Sequence, residues 1–187
     1  MGACFLTESR AHNIIPKPQS IVMGQGSIAV SQLNAAQTNL KGEDFAQLQS
    51  YLLQTMGIQL RRGNNSIVRK THLYPLRLFC TGTPEQARMA ADSVRLQGYK
   101  LTISRRGVFI KAPTPMGLFY GLQTLQQLKE NGRLPHVHIT DYPKYPYRGI
   151  MIDCSRHFFP IDVLKKQLDA MAYYKLDRFH WHLVDGG

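Results

Sequence analysis

The sequence predicts an α/β (α+β) protein in two parts. Residues 13–140 read as a small sandwich of helices on an antiparallel-rich sheet, and residues 141–187 as one β-α-β unit. Three observations carry this. Apolar residues recur at helical spacing at Phe45, Leu48, Leu52 and Met56 and again at Leu118, Leu122 and Leu125. Short extended runs broken at glycine-containing turns fill the intervals. The last forty or so residues then run apolar, amphipathic and apolar again, the order of a strand, a crossover helix and a second strand.

The first twelve residues stand apart. Met1-Gly-Ala-Cys-Phe-Leu6 resembles the end of an apolar export segment, and Ser9-Arg10-Ala11 a small-residue cleavage context. This stretch is read as an export-signal remnant or disordered tail. It points to a periplasmic or secreted parent, with Cys4 as a candidate lipid-attachment residue.

Residues 14–31 contain two extended runs broken at Gly24-Gln25-Gly26, which suggests a hairpin. The helix through Phe45 and Met56 closes at Gly57, the residue type that best ends a helix in a left-handed conformation. Residues 73–80 are strand-like, with Pro75 marking an edge or an irregular start. Thr83-Pro84-Glu85-Gln86 has the spacing of a capping box, and Ala87, Ala90, Ala91 and Val94 follow it at helical intervals before Gly98, so a short helix is expected there. Residues 99–104 and 108–111 flank Arg105-Arg106-Gly107 as a second hairpin. The helix carrying Leu118, Leu122 and Leu125 is expected to run to about Asn131-Gly132.

Asp141-Tyr-Pro-Lys-Tyr-Pro-Tyr147 is rich in proline and tyrosine, which suits a semi-rigid connection, and the domain boundary falls near Thr140. Residues 149–154 are almost wholly apolar, as in a strand buried on both faces of a parallel sheet. Pro160 fits a first helical turn, where its missing N–H is harmless. Ile161, Leu164, Leu168, Met171 and Ala172 form one helical face, with Lys165, Lys166 and Asp169 on the other. After the turn at Asp177-Arg178, residues 179–184 read as a strand ending at Asp185. The crossover should be right-handed. Ser155, Arg156, His157 and Asp185 cluster just past the strand ends, where open α/β sheets and closed barrels alike place ligand groups.

Arg156 presents a planar, permanently charged fork suited to sugar hydroxyls, though a surface or inter-loop ion pair explains it as well. Asp185 reads either as a pocket carboxylate or as a helix cap or turn residue. His180 and His182 lie two apart on one strand face, a spacing some metal sites use. No further ligand set accompanies them, so imidazoles buried against neighbouring strands are favoured and no metal is expected. His157 reads as loop packing. Cys4, Cys80 and Cys154 form neither a disulfide framework nor a zinc pattern, and Cys154 reads as a small buried thiol.

The net charge of +11 admits nucleic acid, an acidic membrane surface or an anionic substrate as partner. The basic residues, however, fall in scattered pairs (Arg61-Arg62, Arg69-Lys70, Arg105-Arg106, Lys165-Lys166) and not in a stripe interleaved with aromatics, so solvated faces and no nucleic-acid partner are expected. No uninterrupted apolar stretch approaches a membrane span.

The run 141–160, with Met171-Ala-Tyr-Tyr-Lys-Leu176 and Phe179-His-Trp-His-Leu-Val-Asp185, resembles glycoside hydrolase family 20, the β-N-acetylhexosaminidases, at the start of their catalytic barrel. Ile14-Ile-Pro-Lys-Pro-Gln19, Gly24-Gln-Gly26 and Ala112-Pro-Thr-Pro-Met-Gly-Leu-Phe-Tyr-Gly-Leu-Gln-Thr-Leu125 resemble the small α/β domain before it. The resemblance implies that residues 141–187 are the truncated start of a (β/α)8 TIM barrel, a fold that takes roughly 250 residues when closed. It implies a retaining, substrate-assisted hydrolase without cofactor, acting on terminal β-linked N-acetylglucosamine or N-acetylgalactosamine. Arg156 and Asp185 stand where family members contact the terminal sugar. The adjacent Asp-Glu pair that serves the family's chemistry is absent, Glu43-Asp44 being reversed and in the other domain. The chain is therefore expected to be inactive alone. A non-catalytic α/β scaffold or interaction module is the other reading. Two barrel strands without neighbours expose edges and apolar faces, so this arm should be disordered, pack back on the small domain, or self-associate.

Overall fold

In the computed structural model, residues 14–63 and 75–185 are described. Cys4 and the other residues of the N-terminal tail, and the beginning of the run 73–80, lie outside them. Seven strands form one mixed sheet: β1 (Ser20–Ala29), β2 (Ala35–Thr38), β3 (Gln59–Arg62), β4 (Leu76–Cys80), β5 (Tyr99–Ser104), β6 (Gly107–Ala112) and β7 (Arg133–Asp141), in the order β1-β7-β5-β6-β4-β2-β3. The β1–β7, β7–β5 and β5–β6 pairs are antiparallel, whereas β6–β4, β4–β2 and β2–β3 are parallel. The parallel half follows from the connections: α1 (Gly42–Met56) returns the chain from β2 to β3 as a crossover helix.

Two helices build the core. Gly57 ends α1 at φ 66°, and its N–H and that of Ile58 close onto Leu53 and Leu52 carbonyls. In α3 (Pro115–Gln127), Pro115 occupies the first turn and the Thr114 hydroxyl accepts from Gly117 N–H. Leu48 and Leu52 of α1 and Leu118, Leu122 and Leu125 of α3 meet Leu76, Leu78, Leu101, Ile110 and Ile139 of the sheet in one apolar cluster. Each such leucine stabilises the fold by about 1.5–3 kcal/mol relative to an exposed one. Tyr51 meets Phe119 edge-to-face at 5.1 Å, joining the two helices. Gly117 is needed for the approach of α3, since a Cβ there would sit 2.3 Å from the Gly98 carbonyl oxygen.

Several expectations hold. The Arg105-Arg106 turn joins β5 and β6 as a hairpin, with Ser104 opposite Gly107. The capping box forms with both hydrogen bonds, Gln86 N to Thr83 Oγ1 at 3.3 Å and Thr83 N to Gln86 Oε1 at 3.0 Å. Its helix, α2 (Pro84–Arg88), is short and passes into a 3-10 turn at Ala90–Asp92.

Two expectations about turns in the small domain are corrected. Gly24-Gln25-Gly26 is not a hairpin turn: β1 runs on along β7, and the extra residues are absorbed as a register shift between Met23 and Ser27, with Gly26 at φ 93° and the Gln25 carbonyl 2.7 Å from His136 Nδ1. The second concerns α3, which stops at Gln127. Asn131 (φ 48°) and Gly132 (φ 72°) form a tight reversal between Glu130 and Arg133 that starts β7.

The β-α-β unit comprises β8 (Gly149–Asp153), α4 (Ile161–Tyr173) and β9 (Arg178–His182), with β8 and β9 parallel. Pro160 caps α4 from outside its first turn. Leu164 and Met171 are buried, whereas Ile161 and Leu168 of the same stripe are about half exposed, and β8 is not covered on both faces.

The unit packs back on the helix side of the small domain through polar contacts. Arg148 donates to Gln97 Oε1 (2.7 Å), Tyr120 OH (3.0 Å) and the carbonyls of Lys175 (2.8 Å) and Tyr145 (2.7 Å), and pairs with Asp177 at 3.4 Å. Lys175, buried and at φ 59°, reaches Asp141 Oδ2 (3.2 Å) and Tyr99 OH (3.0 Å). Tyr99 OH also donates to Asp141 and meets Thr124 Oγ1. Gln127 of α3 donates to the Tyr173 carbonyl of α4 at 2.7 Å. Asp141 thus belongs to the last strand of the sheet as well as to the joint.

Candidate functional site

Side chains with chemistry converge at the C-terminal ends of β8 and β9. Parallel pairing sets Asp153 directly opposite His182. After β8 the chain turns sharply, and Asp153 Oδ1 accepts the backbone N–H groups of Ser155 (3.0 Å) and Arg156 (3.1 Å), fixing the loop. Arg156 Nη1 returns to Asp153 Oδ2 at 2.8 Å, and its Nε lies 3.8 Å from Asp185 Oδ2. Asp185 N–H donates to Ser155 Oγ at 2.9 Å, tying the two strand ends together.

His182 stands between the two carboxylates, with Nδ1 3.2 Å from Asp153 Oδ1 and Nε2 3.1 Å from Asp185 Oδ1. The arrangement is one arginine, one imidazole and two carboxylates in a single network. The Arg156 backbone N–H holds the Asp153 carboxyl below its ordinary range, with the His182 ring, the Ser155 N–H and the Arg156 charge acting in the same sense. Asp153 is therefore anionic at neutral pH and orients the guanidinium.

Arg156 and Asp185 are brought together as the sequence suggested, and both face solvent, with side chains 76% and 51% exposed. Arg156 Nη2 has no protein partner among the described residues. A planar donor edge beside an accepting carboxylate is suited to a pair of vicinal hydroxyl groups.

The histidines depart from expectation. His180 is exposed and His182 half-buried, so neither is an imidazole packed between strands, because nothing among the described residues covers this face of the two-stranded sheet. Among the described residues no group of three or more His, Cys, Asp or Glu could hold a metal ion. His157 packs edge-to-face on Phe159 at 5.1 Å, and Cys154 is half-buried, accepting from Trp181 Nε1 at 3.1 Å. Sequence reasoning missed Asp153 and the bridging role of His182. The signal for Asp153 was its place two residues before Ser155 at a strand end; His182 had none, because its partners are set by strand register.

No helix among the described residues is long and apolar enough to cross a membrane. Compared with known proteins, residues 11–142 match the model of "Glycosyl hydrolase family 20, domain 2" and residues 145–187 that of "Glycosyl hydrolase family 20, catalytic domain". A β-hexosaminidase of Vibrio furnissii is 29% identical over 183 residues, covering 96% of this chain and 27% of the relative. A β-hexosaminidase subunit B2 of Dictyostelium discoideum is 30% identical, with 95% and 32% covered. Among solved structures, Streptomyces plicatus N-acetyl-β-hexosaminidase in complex with Thio-NAglucal superposes with a TM-score of 0.73 at 28% identity, over 93% of this chain and 35% of the other. The chain thus spans about a third or less of the length of these relatives.

Proposed function

Since the chain belongs to glycosyl hydrolase family 20, we propose that it supplies the small domain and the opening β-α-β unit of an exo-β-N-acetylhexosaminidase. The parent removes terminal β-linked N-acetylglucosamine or N-acetylgalactosamine with retention, using the acetamido group of the substrate as nucleophile. The role of this chain is recognition: Arg156 and Asp185 hold hydroxyls of the terminal sugar, with Asp153 and His182 positioning them. The observation that carries this is the single network at the C-terminal ends of two adjacent parallel strands, the end at which barrel enzymes keep their sites. The sequence has no Asp-Glu dipeptide to serve as acetamide-orienting residue and general acid, so the 187-residue chain does not hydrolyse glycosides by itself.

Two measurements test the proposal. Titration with N-acetylglucosamine, followed by NMR, should shift the Arg156 side-chain and Asp185 backbone N–H signals and should fail to do so in Arg156→Gln; shifts confined to other residues would overturn the assignment. Incubation with a chromogenic N-acetylglucosaminide should give no turnover above a buffer blank, and turnover would contradict the division of labour. The apolar start of the sequence further supports an exported parent, testable by fractionating cells that express the natural gene product. Self-association through the exposed side chains of Ile161, Leu168 and Trp181 is the accompanying expectation for the isolated chain, and a monodisperse monomer in size-exclusion chromatography would refute it.

A further inference from the structure

We propose that the outer face of the sheet along β5, β6 and β7 is a docking surface for a sulfated polysaccharide, held by Lys100, Lys111 and Arg95. Leu101 and Ile110 point into the core, so their neighbours Lys100 and Lys111 emerge on the opposite, solvent side. The hairpin register makes the two lysines direct partners. Like charges directly opposite on a sheet destabilise it, and among the described residues no carboxylate lies within ion-pair distance of either. A fold that keeps this arrangement holds two ammonium groups ready for an anion from outside.

The surroundings complete a site. Thr140 is the partner of Lys100 on β7. Arg95 lies with its guanidinium 5.5 Å from the centre of the Tyr142 ring. Thr81, Arg95, Lys100, Lys111, Thr140 and Tyr142 line one cleft of about 220 Å³. Asp141 also borders it, but its carboxylate is taken by Lys175 and Tyr99. Three cations with hydroxyls beside them thus stand at the cleft, whose remaining wall is the largely apolar surface of Tyr99, Ala112 and Pro113.

The geometry suits one tetrahedral oxyanion, and on a glycan the strongly acidic group of that shape is a sulfate ester. Neighbouring strands lie about 4.8 Å apart, so two paired lysines reach the separate oxygens of one tetrahedral oxyanion, and the Arg95 fork can take the third. A nucleic acid lacks a stacking platform here, because Tyr142 faces Arg95 and Phe109 lies under Arg77 at 4.7 Å. The β8–α4–β9 unit attaches on the helix side of the sheet through Gln127 and Tyr173, and among the described residues Lys100 and Lys111 stay exposed on the opposite face.

The choice of a glycan as the polymer rests on the proposed function; the anion site does not. Binding of fluorescent chondroitin sulfate to the 187-residue chain at near-physiological salt tests it, with unsulfated hyaluronan and single-stranded DNA as the other arms. Chondroitin sulfate should bind tightest, and Lys100→Gln/Lys111→Gln should weaken it by about tenfold or more, a change of about 1.4 kcal/mol. Lys165→Gln/Lys166→Gln removes the same charge from exposed positions on α4 and should leave affinity unchanged. Thermal melting of both variants checks that they fold. Equal losses in the two variants, or hyaluronan or DNA binding as tightly as chondroitin sulfate, would overturn the proposal. No turnover is read, so a chain that docks through these lysines while its parent cleaves no N-acetylglucosaminide would defeat the enzymatic reading alone.

Discussion

Replacing Lys175 by methionine removes one charge from the joint and keeps the length of its stem. The side chain of Lys175 is 6% exposed and that of Asp141 10%, with 3.2 Å between Nζ and Oδ2. Burial lowers the Lys175 ammonium below its ordinary range even though Asp141 pulls the other way, so desolvation outweighs the attraction. The pair as a unit therefore adds little net stability. Losing one member is different, because the Asp141 carboxyl would remain buried with only Tyr99 OH at 2.8 Å and a long contact from Gln19 N–H at 3.4 Å. Removal of one partner of such a pair destabilises by about 3–5 kcal/mol. For a chain of this size, at about 2–4 °C per kcal/mol, Lys175→Met should lower Tm by roughly 6–20 °C. Lys175→Met/Asp141→Leu should recover most of the loss, since Tyr99 OH keeps Thr124 as partner and similar apolar replacements are often neutral or better. Calorimetry or urea titration of the two variants reads both values. A single variant within about 1 kcal/mol of the parent, or a double variant no better than the single, would refute the claim that an uncompensated carboxylate sets the penalty.

Three other outcomes follow from the same structure. Gly117→Ala should cost about 1–3 kcal/mol in denaturant unfolding, because the new methyl meets the Gly98 carbonyl oxygen at 2.3 Å, and backbone cannot step aside cheaply. Lys111→Glu turns the repulsive pair with Lys100 into an attractive one and should stabilise by about 0.2–1 kcal/mol, read as a raised urea midpoint. The Asp153 carboxyl should titrate below its ordinary value of 3.8, so its stabilising contribution is complete above that value and is lost as pH falls through the lower folded pKa. Carbon-detected NMR of the Asp153 carboxyl checks this, and a midpoint at or above 3.8 would contradict it.

What the sequence made legible was local. Gly57, the Thr83–Gln86 capping box and the Arg105-Arg106 turn each act within a few residues, and each does what its chemistry predicts. Gly24-Gln25-Gly26 carries the same turn signal, yet the strand passes straight through it because its partner, β7, lies more than a hundred residues away. β2, at four residues, is too short for periodicity to declare it. In the candidate site, Arg156 and Asp185 were visible by type and position, whereas Asp153 and His182 owe their roles to register. The pairing of Lys100 with Lys111 was equally hidden, since basic residues eleven apart look scattered until a hairpin sets them side by side. The hub at Arg148 likewise depends on contacts with residues from 97 to 177, which no window of sequence contains.

Trp181 is the only tryptophan in the chain, and its indole N–H rests against the Cys154 sulfur. Its emission is therefore a built-in optical probe of one neighbourhood, the two strand ends that carry Arg156 and Asp185, while far-ultraviolet dichroism averages over the seven-stranded sheet. If the small domain and the β-α-β arm melt as one cooperative body, the two signals will trace one curve. If the arm peels away first, the glow will change before the ellipticity does, and a single sample will tell the experimenter which has happened.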